Sequence, residues 1–304
     1  MDYALRTKDL SKSYKNFPAL DQCSMNVPKG SIYGFVGENG AGKTTLIRVV
    51  CALQKADGGH VELFGIEDDN PEIVYERKRM GAIVETPALF PDLSARENLE
   101  AQAELLEAAD FDPDAILALV GLSETGKKKA KHFSLGMRQR LAIGMALTGQ
   151  PDLILLDEPV NGLDPQGIID LRELILKLNQ EQQITFLISS HYLSELSRLA
   201  THYGFIRQGR ILAEISSEEL LEKAKPGFVL SVKAGNLPAL MAWVDKQKMP
   251  YSVLDEQSLQ VESDRKSAEL SLMLAKDGIL LESISEKGQD LESLYLQIMK
   301  GGQL

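Results

Sequence analysis

No stretch of this chain approaches the about 18 consecutive apolar residues that a bilayer span requires, so any membrane association is expected to come through a partner. Cysteine is nearly missing. Cys23 and Cys51 are the only two, each in an apolar or helical context. That excludes a disulfide framework and points to a reduced, cytosolic compartment. Positive charge is in the minority: 33 Lys and Arg against 44 Asp and Glu leave a net charge of −11. Wholesale nucleic-acid binding needs a basic face, so no nucleic-acid partner is expected, although a local basic patch is compatible with this balance. The segment Met1 to Leu10 carries charged residues and no apolar run, which predicts that no signal peptide is present. There is no internal repeat and no low-complexity tract.

What is present is an ordinary globular composition, with 44% hydrophobic and 25% charged residues over 304 positions. This length suits one large domain plus a smaller one. The first part alternates apolar strand candidates with helical stretches. Ser31 to Val36 reads as a strand that ends in glycine, and Lys43 to Leu53 reads as a helix, an order typical of a βα unit in a parallel sheet. Met80 to Val84, Leu153 to Leu156, Thr185 to Ser189 and Tyr203 to Arg207 are further strand candidates whose continuous apolar character fits burial on both faces. From Leu93 to Gly149 the pattern is helical, with Ser94 and Glu97 forming a capping box ahead of Leu99 and a second helical stretch over Ser134 to Leu147.

Lys225-Pro226-Gly227 is a breaker cluster and the candidate domain boundary. Beyond it the expected order is strand (Phe228 to Val232), helix (Leu237 to Gln247) and two strands (Tyr251 to Leu254, Ser258 to Val261). A helix (Arg265 to Ala275), a strand (Ile279 to Ser283) and a last helix (Asp290 to Lys300) follow. That βαββαβ order plus one helix is ferredoxin-like. The fold class expected is therefore α/β, a mixed, mostly parallel sheet over 1–225 with an inserted helical subdomain at about 86–150, plus a small α+β domain over 227–304.

The strongest chemical signal is Gly37-Glu38-Asn39-Gly40-Ala41-Gly42-Lys43-Thr44, which fits G-x-x-x-x-G-K-[ST] between a strand and a helix. Its glycines let backbone N–H groups turn around phosphate oxygens, and the helix adds its positive dipole end. Lys43 would reach the β and γ phosphates, and the Thr44 hydroxyl would ligate Mg²⁺. Leu153 to Leu156 delivers Asp157 and Glu158 at a strand end. Asp157 suits Mg²⁺, directly or through water, and Glu158 is placed to act as general base on a water. The bland reading of that pair is a helix cap or a solvated strand end, and the adjacent phosphate-loop pattern argues against it.

Phe133-Ser134-Leu135-Gly136-Met137-Arg138-Gln139-Arg140 resembles the signature segment of ABC transporter ATP-binding subunits, and it precedes the Asp157-Glu158 strand as in that family. Asn161-Gly162-Leu163-Asp164 resembles the family's D-loop, Ser189-Ser190-His191 its switch histidine, and Tyr14 stands where an aromatic stacks on adenine. The resemblance covers about 4–220. It implies an ATPase that binds ATP and Mg²⁺ through Tyr14 and Gly37 to Thr45, with Thr45 included. It further implies a head-to-tail dimer in which Ser134, Gly136, Met137 and Asp164 of one copy complete the ATP site of the other. His191 would hydrogen-bond the γ-phosphate. The partners implied are an integral membrane permease, rocked through the helical subdomain near Glu85 to Glu97, and a second copy of the chain. The location implied is the inner face of the cell membrane.

Two departures narrow the resemblance. Glu85, in Val84-Glu85-Thr86-Pro87, stands where most members carry glutamine, and the signature has Leu135 and Met137 where a glycine and a glutamine are usual. Both are similar to a subgroup that exports bacitracin-like and lantibiotic peptides for self-protection, which implies antibiotic resistance. Glu85 is expected to be an active-site residue able to bind Mg²⁺ or the water, yet it adds negative charge beside a carboxylate pair. Family relatives that act on DNA or ribosomes carry long coiled-coil insertions or two cassettes in one chain, and neither occurs here. The run Lys127-Lys128-Lys129 with Lys131 reads as a solvated helix or loop end, the alternative being an anionic partner such as lipid headgroups. Met241 to Val244 with Trp243 reads as helix core, and Cys51 as a packed small apolar residue. The 227–304 region offers no catalytic constellation, so its expected role is interaction.

Overall fold

The computed structural model describes residues 2–108, 111–223, 227–263, 265–287, 295 and 298–299, with the backbone alone for 221–223 and 287. Contacts divide the chain between Ser217 and Glu218 into two units, a few residues before the breaker cluster, of which Lys225 and Pro226 lie outside the described residues.

The first unit opens with β1 (Tyr3–Tyr14) and β2 (Phe17–Pro28), followed by β3 (Ile32–Val36), α1 (Lys43–Val50), β4 (Gly58–Leu63), β5 (Ile66–Glu67), α2 (Ile73–Lys78) and β6 (Met80–Ile83). Among the described residues three α-helices follow here, α3 (Ala95–Leu106), α4 (Pro113–Leu119) and α5 (Leu135–Leu147). Then come β7 (Leu153–Asp157), α6 (Pro165–Gln182), β8 (Thr185–Ser190), α7 (Leu193–Leu196), β9 (His202–Arg207) and β10 (Arg210–Ser216), with α8 (Ser217–Lys223) starting at the division. Six strands form a sheet in the order β10-β9-β3-β8-β7-β6, parallel throughout except for the antiparallel β9–β10 pair. β3, β7 and β8 are buried at every position, as their unbroken apolar sequences require of strands covered on both faces.

A second sheet, antiparallel in the order β2-β1-β4-β5, was not anticipated from the sequence. The reason is local. Register shifts fall between Thr7 and Leu10, and Asp9 and Gln22 adopt positive φ of 48° and 51°, so the two-residue alternation of a half-buried strand is broken where it would be read. The core joins both sheets through α1, whose Leu46, Ile47, Val49 and Val50 meet Leu5, Met25, Phe35, Leu155 and Ile206. Truncating a fully buried member such as Leu155 to alanine removes contacts that no neighbour replaces, at a cost of about 2–5 kcal/mol. Cys51 packs at the edge of this core and Cys23 within it, and burial pushes both thiols up to about 12.

Between β6 and β7 the chain carries the helices α3, α4 and α5. Ser94 and Glu97 cap α3 reciprocally, Ser94 N–H donating to Glu97 Oε2 at 2.6 Å and Glu97 N–H to Ser94 Oγ at 3.3 Å. The Ser94 N–H and the Lys129 ammonium, 3.0 Å from Oε2, hold the Glu97 carboxyl down at about 2. Lys131 pairs with Asp92 at 2.6 Å and Lys128 lies 5.7 Å from the Phe133 ring centre, so much of the lysine run is tied into the subdomain's own surface. Among the described residues no helix is long and apolar enough to cross a membrane.

The second unit contains β11 (Gly227–Val232), α9 (Leu237–Lys246), β12 (Tyr251–Val253), β13 (Ser258–Glu262), α10 (Ser267–Lys276) and β14 (Leu281–Lys287). Its sheet runs β12-β13-β11-β14 with every neighbouring pair antiparallel. Leu240, Trp243 and Val244 of α9 and Leu270 and Leu274 of α10 fill a core with Phe228, Leu230, Leu259 and Val261. Trp243 is core, as read, and its ring N–H finds Asp277 Oδ2 at 2.7 Å. The expected helix over Asp290 to Lys300 lies outside the described residues, apart from Tyr295, Ile298 and Met299.

Candidate functional site

The site begins where β3 runs out. From Gly37 to Gly42 the chain turns into α1, and Gly42, at φ 113° and ψ 1°, is the N-cap without a side chain to cap anything. A Cβ at Gly42 would stand 2.4 Å from the Ala19 carbonyl oxygen, so both conformation and space demand glycine here. The first intrahelical bond is Leu46 N–H to Gly42 O at 2.9 Å. The amides of Lys43, Thr44 and Thr45 therefore have no acceptor within the helix and face outward at its positive end, an anion site by construction. Lys43 is 5% exposed, and its ammonium donates to Gly37 O at 2.6 Å and Glu38 O at 3.2 Å. A cation taken this far from water must be paired, and Glu158 Oε1 lies 3.1 Å from the same nitrogen.

β7 ends at Asp157, which is 2% exposed and accepts two hydroxyls: Thr44 Oγ1 on Oδ2 at 2.7 Å and Ser189 Oγ on Oδ1 at 2.6 Å. The next residue, Glu158, leaves the strand at φ 49°, a left-handed conformation sparsely populated by residues with a Cβ. Its Oε2 receives His191 Nδ1 at 2.9 Å and Asn161 Nδ2 at 3.4 Å. An ionised carboxylate only accepts, so the His191 bond places a proton on Nδ1. Oε1 is buried, and its contact with Lys43 is an ion pair without hydrogen-bond geometry, which leaves that oxygen a lone pair to give to a reacting group.

Of these residues, Gly42, Lys43, Thr44 and Glu158 open onto a cleft of about 240 Å³. Tyr14, Phe17 and Ala19 of the first hairpin line it together with Asn39, Gly40, Gly42, Lys43, Thr44, Thr45 and Glu158. Phe17, 59% exposed, escaped the sequence reading, although it pairs with Tyr14 across the β1–β2 turn and offers a second ring face to a flat ligand. Gly37, Glu38 and Ala41 serve through the backbone, Ala41 N–H donating to Glu38 O at 3.1 Å and Ala41 O accepting Gly209 N–H at 2.9 Å. A hydroxyl and a carboxylate 2.7 Å apart at a phosphate loop are hard oxygen donors, and that donor set fits Mg²⁺.

Other expected site residues lie apart from the cleft. Glu85 adopts φ 62° and its carboxylate is taken by the Arg48 guanidinium, one helical turn beyond Thr44 on α1. This is the counter-charge that the sequence reading lacked for Glu85. Ser134 caps α5 by accepting Met137 N–H at 3.2 Å, and Asp164 caps α6 by accepting Gly167 N–H at 3.2 Å. The two helix tips are neighbours: a Cβ at Gly136 would be 3.8 Å from Leu163 Cδ2 and 4.0 Å from Gly167 Cα. None of Ser134, Gly136, Met137 or Asp164 lines the cleft of their own chain.

A mostly parallel sheet in which one strand feeds a glycine turn and helix, and a second strand, separated from it by β8, ends in two carboxylates, defines a P-loop nucleoside-triphosphate hydrolase. The family model described as ABC transporter matches residues 20–161. The bacitracin transport ATP-binding protein BcrA of Bacillus licheniformis is 37% identical over 306 residues, covering 99% of each chain. The lantibiotic transport ATP-binding protein SrtF of Streptococcus pyogenes is 40% identical over 210 residues, 69% of this chain and 90% of SrtF. A dimeric structure of a bacterial ABC transporter cassette superposes with a TM-score of 0.63 at 25% identity, covering 70% of this chain and 98% of that one. The chain belongs to the ATP-binding, ATP-hydrolysing subunits of ABC transporters.

Proposed function

We propose that this subunit powers export, of an antimicrobial peptide or drug, through a separate permease at the inner face of the cell membrane, with ATP and Mg²⁺ as its ligands. Similarity to the bacitracin and lantibiotic transport proteins over most of the chain supports the export reading. The observation that carries the mechanism is the Lys43, Thr44, Asp157, Glu158 and His191 cluster, of which Lys43, Thr44 and Glu158 line the cleft. Adenine stacks on Tyr14, the amides from Gly40 to Thr45 and the Lys43 ammonium take the phosphates, and Thr44 and Asp157 hold the cation. Mg²⁺ in that position supplies neutralisation of the phosphate charge. Glu158, fixed by His191, accepts a proton from the water that attacks the γ-phosphorus, while the ADP oxygen leaves with the bond electrons.

Two copies close head to tail. The support is that the serine-glycine tip of α5 and the Asp164 turn adjoin each other yet lie outside their own chain's cleft, so they have phosphates to meet only on a second copy. Docking of the permease on the helical insertion is supported by a cavity of about 500 Å³ lined by the edge strand β6, by Val84, Thr86 and Ala88, and by α3 and α5. The second unit is read as an accessory ferredoxin-like domain over 227–304. The deciding experiment is Glu158→Gln: Mg²⁺-dependent ATP turnover should be lost while ATP drives a stable dimer in size-exclusion chromatography. Wild-type turnover in that variant would remove Glu158 from its role.

A further inference from the structure

We propose that Ser189 is a positioning residue for the two catalytic-end carboxylates, setting the metal affinity of Asp157 and the direction in which Glu158 leaves its strand. This rests on the roles given above to Asp157 and Glu158. Ser189 is wholly buried on β8, directly opposite Asp157 in the parallel β7–β8 register. Its hydroxyl has one proton to give, and that goes to Asp157 Oδ1 at 2.6 Å. It has lone pairs to receive, and one takes the Glu158 N–H at 2.9 Å.

The consequence at Asp157 is a carboxylate gripped at both oxygens, by Ser189 from β8 and by Thr44 from α1. Its plane is set before any ligand arrives, and outer partners of this kind change metal affinity about 10–100-fold. At Glu158 the sheet pairing ends, because the backbone turns to φ 49° and its amide can no longer follow the ladder. Ser189 Oγ replaces the missing carbonyl acceptor, which fixes where the turn starts and hence where the Glu158 carboxylate meets Lys43 and His191. Ser190, next along the strand, serves another purpose: it donates to Glu195 Oε2 at 2.8 Å and accepts Tyr192 N–H at 3.0 Å. It is therefore a control of the same chemistry and burial.

The test uses the full chain with a non-hydrolysable ATP analogue and Mn²⁺, whose free fraction is read by electron paramagnetic resonance. Ser189→Ala should raise the Mn²⁺ concentration for half-saturation about tenfold and slow turnover, while metal-free nucleotide affinity stays at the wild-type value. Ser189→Thr, which keeps the hydroxyl, should bind Mn²⁺ as wild type does, and so should Ser190→Ala. If the alanine variant does not fold, Ser189→Cys, with a poor donor in the same space, should shift Mn²⁺ binding in the same direction. Half-saturation within twofold of wild type for Ser189→Ala (or for Ser189→Cys in its place) overturns the proposal, as does an equal shift in Ser190→Ala. An inactive Glu158→Gln beside normal Mn²⁺ binding in Ser189→Ala sinks the Ser189 role alone, whereas an active Glu158→Gln sinks the underlying reading.

Discussion

The two chemical ends of this molecule are built on opposite plans. At the phosphate end, Lys43, Asp157 and Ser189 are buried, and their polar atoms are spent on one another and on Thr44 and Glu158. At the signature end, Ser134 and Asp164 cap the first turns of their own helices, α5 and α6, and neither lines the cleft of its own chain. The first region is organised by burial, which makes an unpaired charge costly and so enforces mutual bonding. The second is a pair of capped helix tips that lie outside the cleft of their own chain. A network can thus be assembled in one copy, whereas the cover, on the head-to-tail reading proposed above, is supplied by another.

The sharpest way to break this contrast is Lys43→Ala. It removes the phosphate cation and leaves Glu158 Oε1 without its ion pair, so turnover should fall by about 10²–10³ and ATP affinity with it, measured by fluorescent-nucleotide titration. Gly136→Asp probes the other end. A carboxylate at the α5 tip opposes phosphates on a second copy, so turnover should drop about 100-fold while ATP affinity of the dilute monomer stays within twofold. Loss of monomer affinity would show that the two ends are not separable.

Glu85 lies between these regimes, held by Arg48 on the helix that carries Thr44. The pair is 34% and 56% exposed, so screening limits it. A double-mutant cycle of Arg48→Gln and Glu85→Gln on chemical denaturation should give a coupling of about 0.2–1 kcal/mol. A larger value would place the pair with the buried network. The smallest effect concerns the α3 cap. The Glu97 carboxyl, held at about 2 against an ordinary 4.5, stabilises the fold fully above pH 4.5, and that contribution is lost as pH falls toward 2. The stability difference between wild type and Glu97→Gln should therefore shrink between pH 6 and pH 3, and a constant difference would refute the assignment.

Much of the architecture was readable because its causes are local. β3, β7 and β8 are continuous apolar runs, the Ser94-Glu97 box announces α3, and the Gly37 to Thr44 spacing carries its own backbone requirement. The β1-β2-β4-β5 sheet was not readable, since bulges and positive-φ residues scramble its alternation and long-range pairing alone defines it. Phe17 carried no pattern of its own. It enters the cleft only because the β1–β2 hairpin turns beside the phosphate loop.

By itself, then, the order of residues determined that a phosphate loop, a pair of strand-end carboxylates and a capped signature helix exist, because each depends on neighbours a few positions away. Only the folded chain decided who partners whom: Arg48 with Glu85, Ser189 with Asp157 and Glu158, and the signature tip with the Asp164 turn rather than with its own cleft. Those pairings join elements distant in sequence through sheet order and register, and register is set by packing both faces of a buried sheet at once.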